Sequence, residues 1–374
     1  MKNIKLYKSL EEFISSNQSS KKEYYLLVAE NCEFDYKKLK ETNISFYGAI
    51  VTQVIFNDSN YDNGLIACEL EDEKINLIED LENPELKEKD YKDANSLMVL
   101  LDGLSSNIST FLDSLFNVLP LNVEILGGGA GKLTLKQEPV IFSNKGIYEN
   151  AALTISKKSK LFIGVENGWE FLEGPFMVTS SNKNILKSLN FMDAFEVYKS
   201  VVEEDSGLKF NNAFETYKNV VEKESGKQIT EDNFFDIAKS YPLGIVKFNK
   251  EIIVRDPIAK DEKGNMILVG DLEQNSTINI LKGNKKSLIA SSNNAIKKAL
   301  ESNTEKLEIK NVVLFDCISR CIFLENDFKK ELNEIKKQVN DETLFGALTL
   351  GEIANNGNEY INFYNKTCVV GVLC

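Results

Sequence analysis

The chain has 374 residues, 43% apolar and 27% charged, enough for two or perhaps three globular domains with ordinary cores. Its net charge of −13 leaves no broad basic face for nucleic acid or an anionic membrane, and no run approaches the roughly 20 apolar residues of a membrane span. Histidine is absent, which removes Ser-His-Asp and Cys-His catalysis, HExxH-type zinc sites and an imidazole base.

The opening MKNIKLYKSLEEFISS lacks the apolar core of a signal peptide, and six scattered cysteines (32, 68, 317, 321, 368, 374) form no CxxC pair. Reduced thiols in the cytoplasm are the expectation, with no metal and no cofactor. Of 44 basic residues only Arg255 and Arg320 are arginine. In so lysine-biased a chain those positions suggest a need for a planar, bidentate guanidinium.

Taken in order, Lys22 to Glu30, Ile44 to Phe56 and Leu65 to Leu70 are rich in β-branched and aromatic residues and read as strands. Glu71 to Asp93 reads as a solvated surface segment. Ser96 to Leu101 is a buried strand ending at Asp102-Gly103. Leu104, Ile108, Phe111, Leu112, Leu115 and Phe116 form one helical stripe, closed by Pro120.

The strand Asn122 to Leu126 then enters VEILGGGAGKLTLKQ (Val123 to Gln137). A P-loop fails on spacing, because its first glycine would fall on Leu126 and its Ser/Thr on Leu133. Two readings remain: a glycine-rich turn between strands, or a nest of bare N–H groups suited to an anion. Pro139 to Phe142, Ala151 to Ile155 and Leu161 to Val165 are further strands, the last leading to Gly168 and the only tryptophan, Trp169.

Residues 191–226 hold a tandem repeat: FMDAFEVYKSVVEEDSG (191–207), then FNNAFETYKNVVEKESG (210–226). Each copy reads as one amphipathic helix with a glycine C-cap, and two copies are too few for a solenoid. Beyond them, Met266 to Val269 and Thr277 to Leu281 read as strands, Ser291 to Asn303 and Asp327 to Asn340 as helices. Asn311 to Phe315 is a buried strand that delivers Asp316, Cys317, Ser319 and Arg320 at its end.

Together these stretches resemble the FIST domain, a two-part N and C module found alone or joined to signalling modules in bacteria and in eukaryotic F-box proteins. In the N part the matching pieces are Asp102-Gly103-Leu104-Ser105, Gly127 to Gly131 with Gln137-Glu138-Pro139, and Gly168-Trp169. In the C part they are Tyr241-Pro242-Leu243-Gly244, Arg255-Asp256-Pro257, Phe315 to Arg320, Gly351-Glu352-Ile353 and Asn365-Lys366-Thr367. The resemblance runs from about residue 20 to the end. It implies an α/β protein of two domains, with packed mixed β-sheets flanked by outer helices. The expected division is 20–189 (FIST N-like), 190–226 (duplicated helical segment) and 227–374 (FIST C-like).

The family is regarded as sensory, which implies a small-ligand sensor rather than an enzyme, with an amino acid or similar carboxylated metabolite as ligand and a separate signalling protein as partner. Nucleic acid and membrane insertion are not expected. Carried over, the ligand-binding set is Gly128, Gly129 and Gly131 (backbone N–H donors), Gln137, Trp169, Asp316, Cys317, Arg320 and Glu352. Arg320 and the loop amides would take a carboxylate, and Glu352 or Asp316 an ammonium. Four departures from the family pattern, Lys132, Asn167, Asp316 and the added helix, leave ligand identity open.

Bland alternatives stand beside each role. Arg320 could pair internally with Asp316, Cys317 could be an inert small hydrophobe, Glu352 a solvated turn residue, Trp169 a core aromatic, and Arg255-Asp256-Pro257 a turn clamp. Two other functions remain: a thiol enzyme using Cys317 with Arg320, and a scaffold that binds no ligand.

Overall fold

The computed structural model describes residues 1–208, 210, 234–247, 252–261, 263–339, 341–355 and 360–374. It is an α/β protein with several packed mixed sheets, as the sequence suggests. Its contacts separate two compact units: Met1–Gly168 with Leu288–Cys374, and Trp169–Ser287. The expected linear division at 190 and 226 differs from this, because one unit is inserted into the sequence of the other.

The larger unit repeats one order of elements, β-α-β-α-β-β-β-β, three times, the third copy having two helices in place of its second. The first copy is β1 (Lys2–Tyr7), α1 (Leu10–Asn17), β2 (Glu23–Ala29), α2 (Tyr36–Lys40), β3 (Ser45–Val51), β4 (Gln53–Phe56), β5 (Ser59–Tyr61) and β6 (Leu65–Leu70). The second is β7 (Lys74–Ile78), α3 (Glu88–Tyr91), β8 (Ser96–Asp102), α4 (Ile108–Val118), β9 (Glu124–Ala130), β10 (Ile141–Ser143), β11 (Ile147–Tyr148) and β12 (Ala152–Lys157). The third opens with β13 (Leu161–Glu166), after which the smaller unit interrupts it.

That smaller unit contains β14 (Glu170–Asn182), β15 (Ile185–Leu189), β16 (Met192–Asp193), α5 (Ala194–Ser206), α6 (Phe234–Ala238), β17 (Leu243–Val246), β18 (Ile252–Arg255), β19 (Pro257–Lys260), β20 (Met266–Leu268) and β21 (Thr277–Lys282). Its strands form a nearly closed, barrel-like sheet around a core that includes Val178, Leu186, Tyr198, Phe234, Met266 and Ile278. The helix α5 is the first copy of the tandem repeat. Asp193 caps its start by accepting from Glu196 N–H, and Gly207, at φ +67°, closes its end as the sequence suggests. The second copy lies outside the described residues except for Phe210, which packs against Phe195 and Phe234.

The third copy resumes with α7 (Lys285–Ser302), β22 (Asn311–Cys317), α8 (Ile318–Leu324), α9 (Phe328–Lys336), β23 (Thr343–Thr349), β24 (Glu352–Ala354), β25 (Asn362–Tyr364) and β26 (Cys368–Leu373).

Each copy centres on two parallel strands of seven residues in full register: β2 on β3, β8 on β9, β22 on β23. Strands β2, β8 and β22 are buried nearly throughout, so they read as continuous apolar runs rather than alternating ones. On one side of each pair lie the copy's own antiparallel strands (β6 then β1, β12 then β7, β26 then β13). The other side is filled from a different copy: β10 pairs with β3, β24 with β9, and β4 with β23. The three sheets therefore complete one another in a ring.

At the middle of each pair a glycine faces a carbonyl. A Cβ on Gly48, Gly127 or Gly346 would stand 2.5, 1.9 or 1.8 Å from the backbone oxygen of Leu26, Val99 or Leu314, its partner in the ladder.

Two expectations change here. Residues 71–93 contain the edge strand β7, whose lysine- and asparagine-bearing sequence looks solvated although only Lys74 of it is exposed. Gly127 to Gly129 are ladder residues of β9 and not a loop, since close backbone approach, rather than a turn, is what requires glycine there. The helix α4 also starts later than the stripe suggests. Asp102 Oδ1 accepts from Leu104 N–H and Ser105 Oγ from Asn107 N–H, holding a capped turn before Ile108.

Gly346→Ala and Gly127→Ala should each cost about 1–3 kcal/mol or more through overpacking. Urea unfolding measures this, and a loss within 0.5 kcal/mol, about what an ordinary surface change gives, would show that the strand seams are not tight.

Candidate functional site

The chemistry gathers where the third copy's strands end. Cys317 is the last residue of β22, Thr349 the last of β23, Glu352 the first of β24, and the turn Asn365-Lys366-Thr367 leads into β26. Glu352 is 0% exposed; its Oε1 accepts from Thr349 Oγ1 at 3.2 Å and its Oε2 from Thr367 N–H at 3.2 Å. Cys317, 3% exposed, donates its N–H to Thr367 O at 3.3 Å. Lys366 is fully buried in the same turn, at φ +54°.

Burial drives the electrostatics. It pushes the Glu352 carboxyl well above the ordinary carboxylate range, although the bonds from Thr367 and Thr349 pull it back. Burial, then the nearness of Glu352, raises the Cys317 thiol far above its usual value, with Lys366 acting in the opposite sense. A thiol with that balance is protonated at neutral pH.

The ladder registers show which residues take the same places in the other copies. Where the third copy has Glu352, the first has Val54 and the second Ile141. At Cys317 they have Ala29 and Asp102, at Thr349 Val51 and Ala130, at Lys366 Asn63 and Asn150. The same fold is thus built twice without a buried glutamate and lysine at these places.

Arg320 lies on the helical side of β22, because successive strand residues point to opposite faces and Asp316 precedes Cys317. Its guanidinium is 0% exposed and fully engaged. Nη2 donates to Glu331 Oε1 at 2.5 Å, Leu288 O at 3.1 Å and Ser291 Oγ at 3.3 Å; Nη1 donates to Asn167 O; Nε lies 3.1 Å from Asp316 Oδ1. It pins α7, α8 and α9 to the end of β22, the internal pairing left open by the sequence. A ligand carboxylate in a fork on Arg320 would have to displace these bonds.

Burial and then Glu331 raise the Asp316 carboxyl well above its usual range, against the pull of Arg320. Neither Asp316 oxygen nor Glu331 Oε2 has a hydrogen-bond partner, and the two carboxyls are bridged by the guanidinium, which pairs with Asp316 Oδ1 at 3.1 Å and Glu331 Oε1 at 2.5 Å. Asp316, Glu331 and Cys368 bring possible metal-ligand atoms within 4.8 Å of one another. The guanidinium already serves as the cation of that cluster.

The glycines are placed differently from a nest. Gly129 N–H donates to Gly351 O at 2.8 Å and Gly131 N–H to Ile50 O at 2.9 Å, so both are used within the protein; Gly128 faces Glu352 across the ladder and leaves room for Thr349. Gln137 lies on the exposed segment after β9 and donates to Asp102 Oδ2 at 3.0 Å. Trp169 is buried at the head of the smaller unit. Of the expected residues, the structure brings together Gly128, Cys317 and Glu352, with Asp316 and Arg320 behind them. Sequence reasoning missed Thr349, Glu331 and the roles of Lys366 and Thr367; the only available signal was the Asn365-Lys366-Thr367 piece.

Comparison with known families gives two matches: the FIST N domain over residues 37–192 and the FIST C domain over residues 213–355. No curated protein matches the chain.

Two outcomes follow from the buried charges. Arg320→Met alone should destabilise by about 3–5 kcal/mol by stranding Glu331, whereas the combined Asp316→Leu, Arg320→Met, Glu331→Leu change should be near neutral or stabilising. A triple variant as unstable as the single one in urea melts would refute this account. For pH, Glu352 is raised when folded, so its stabilisation is complete below its unfolded pKa of about 4.3 and declines as pH rises towards the folded value. Relative to Glu352→Gln, the native protein should lose about 1.4 kcal/mol per pH unit above pH 5. A constant difference across pH would mean that Glu352 is ionised.

Proposed function

The chain belongs to the FIST family, whose domains are sensory domains of signal transduction, and from that membership we propose a specific site and ligand class for this member. The sensor responds to an amino acid or similar small carboxylated metabolite at the third copy's strand ends, around Cys317, Thr349 and Glu352. One observation carries the reading: the buried Glu352 and Lys366 stand there at positions held by Val54 and Ile141, and by Asn63 and Asn150, in the other two copies. Burying them opposes stability unless it serves recognition.

Every group of the set is sealed from solvent, so ligand entry requires this junction to open. Opening links occupancy to conformation, which is what a sensor must transmit. The signal passes to a separate protein. Six free cysteines support a reducing, cytoplasmic setting, and among the described residues no helix is long and apolar enough to cross a membrane.

Catalysis by Cys317 is the weaker reading, because burial and Glu352 both disfavour a thiolate. Iodoacetamide at neutral pH should label Cys317 more slowly than a free thiol; faster, single-site labelling would favour the enzyme.

The sensor reading is tested by thermal shift against amino acids and carboxylated metabolites. A ligand at about 100 times its Kd adds about 2.7 kcal/mol, a few degrees for a chain of this length. The shift should vanish in Glu352→Gln. A shift that persists there would move the site elsewhere.

A further inference from the structure

We propose that Asp316, Glu331 and Cys368 form a zinc site on the helical side of β22, holding one divalent ion through two carboxylates and one thiolate. The proposal stands apart from the sensor reading, since none of Glu352, Thr349 and Cys317 belongs to the set.

The backbone places two of the ligands. β26 runs antiparallel to β22 with Cys368 directly opposite Asp316. The two side chains therefore leave the same face of the sheet, with Cβ atoms about 4.5–5.5 Å apart. Glu331 comes from α9, where Phe328, Leu332 and Ile335 form a buried stripe that carries the glutamate inward with it. All three ligands are 0% exposed, and one oxygen from each carboxyl and Cys368 Sγ lie within 4.8 Å of one another. Ligand atoms around a tetrahedral zinc stand about 3.5 Å apart at bond lengths of about 2.0–2.3 Å. Small side-chain movements therefore close the shell.

The second observation is that these oxygens lack partners. Asp316 Oδ1 and Oδ2 and Glu331 Oε2 have no hydrogen-bond partner, although both side chains are sealed from water. Carboxyl oxygens buried in that state are costly unless something binds them. Arg320 meets the pair at Asp316 Oδ1 and Glu331 Oε1. Its single positive charge does not balance two carboxylates. A guanidinium and a divalent ion together match two carboxylates and a thiolate, three charges against three.

The fold does not ask for this set. Where Asp316 faces Cys368, the first copy pairs Val28 with Leu65 and the second Leu101 with Ala152. Ligand chemistry then selects the ion. Calcium and magnesium want a full shell of oxygens, much of it water for magnesium, whereas a thiolate beside carboxylates suits zinc. Three protein ligands leave the fourth position to a water or a small donor molecule.

The test uses the full chain, expressed with zinc or, separately, cobalt in the medium and purified without chelator. Elemental analysis should find about one zinc per chain, and the cobalt form should show a thiolate-to-metal charge-transfer band. X-ray absorption of the zinc form should show one sulfur at about 2.3 Å and oxygens at about 2.0–2.2 Å. Cys368→Ala, which takes the second copy's residue at this place, should fold and lose the cobalt band. In competition with a coloured chelator it should hold zinc at least about tenfold more weakly, which is about 1.4 kcal/mol. A native chain free of zinc would overturn the site, and so would a band that survives in Cys368→Ala. A metal shell without sulfur, or with two or more sulfurs, would overturn it as well. If Cys368→Ala does not fold, Glu331→Gln takes its place: unchanged zinc affinity overturns the site and weakened affinity supports it.

Discussion

The larger unit depends on a backbone constraint: each central pair of parallel strands must be bordered by a strand from another copy. The register is strict, seven residues against seven, and a glycine sits at the middle of each seam where a side chain would meet a carbonyl oxygen. This fixes where every strand ends, and the strand ends hold the polar chemistry. Glu352 reaches Cys317 and Thr349 because β24 leaves its own sheet to pair with β9, which turns its first residue back towards the ends of β22 and β23.

Three copies of one arrangement allow a comparison within a single chain. In the first copy Val28 and Leu65 pair where the third has Asp316 and Cys368, and in the second Leu101 and Ala152 do so. Apolar side chains suffice at these places. The third copy carries buried ionisable groups on both faces of β22, held on the helical side by the guanidinium of Arg320 and on the other by Thr349 and Thr367. Such groups give little net stability against apolar replacements, so the fold itself does not account for their concentration in one copy.

Much of the fold was legible in the sequence. Strands β2, β8 and β22 are apolar runs bounded by turn residues, and α5 shows its glycine C-cap at Gly207. The threefold order was hidden because copies equivalent in the ladder share few side chains; Gly48, Gly127 and Gly346 are the clearest common mark. The glycine run was open to misreading because a strand that needs close backbone approach and a turn that needs φ > 0 call for the same residue. Arg320 stood out in a lysine-rich chain, but its partners, Glu331, Ser291, Leu288 and Asn167, come from separate elements, so its role became visible only once those elements were packed. Lys366 was visible only within the piece Asn365-Lys366-Thr367, with no role attached to it. Its meaning comes from the asparagines that take its place elsewhere.

The exchange of strands also sets an order of events during synthesis. Once residues 1–148 exist, the first sheet has all six of its strands, but β9 lies at an open edge until β24 and β25 are made. The inserted unit lies between them in the sequence, and at about 5–20 residues per second the wait is on the order of ten seconds or more. An unpaired edge is a template for association with other chains. The strand left waiting is EILGGGA, whose three glycines give it weak intrinsic preference for further pairing. The residues that let β9 fit its seam also make it the least adhesive of the three central strands while it is incomplete.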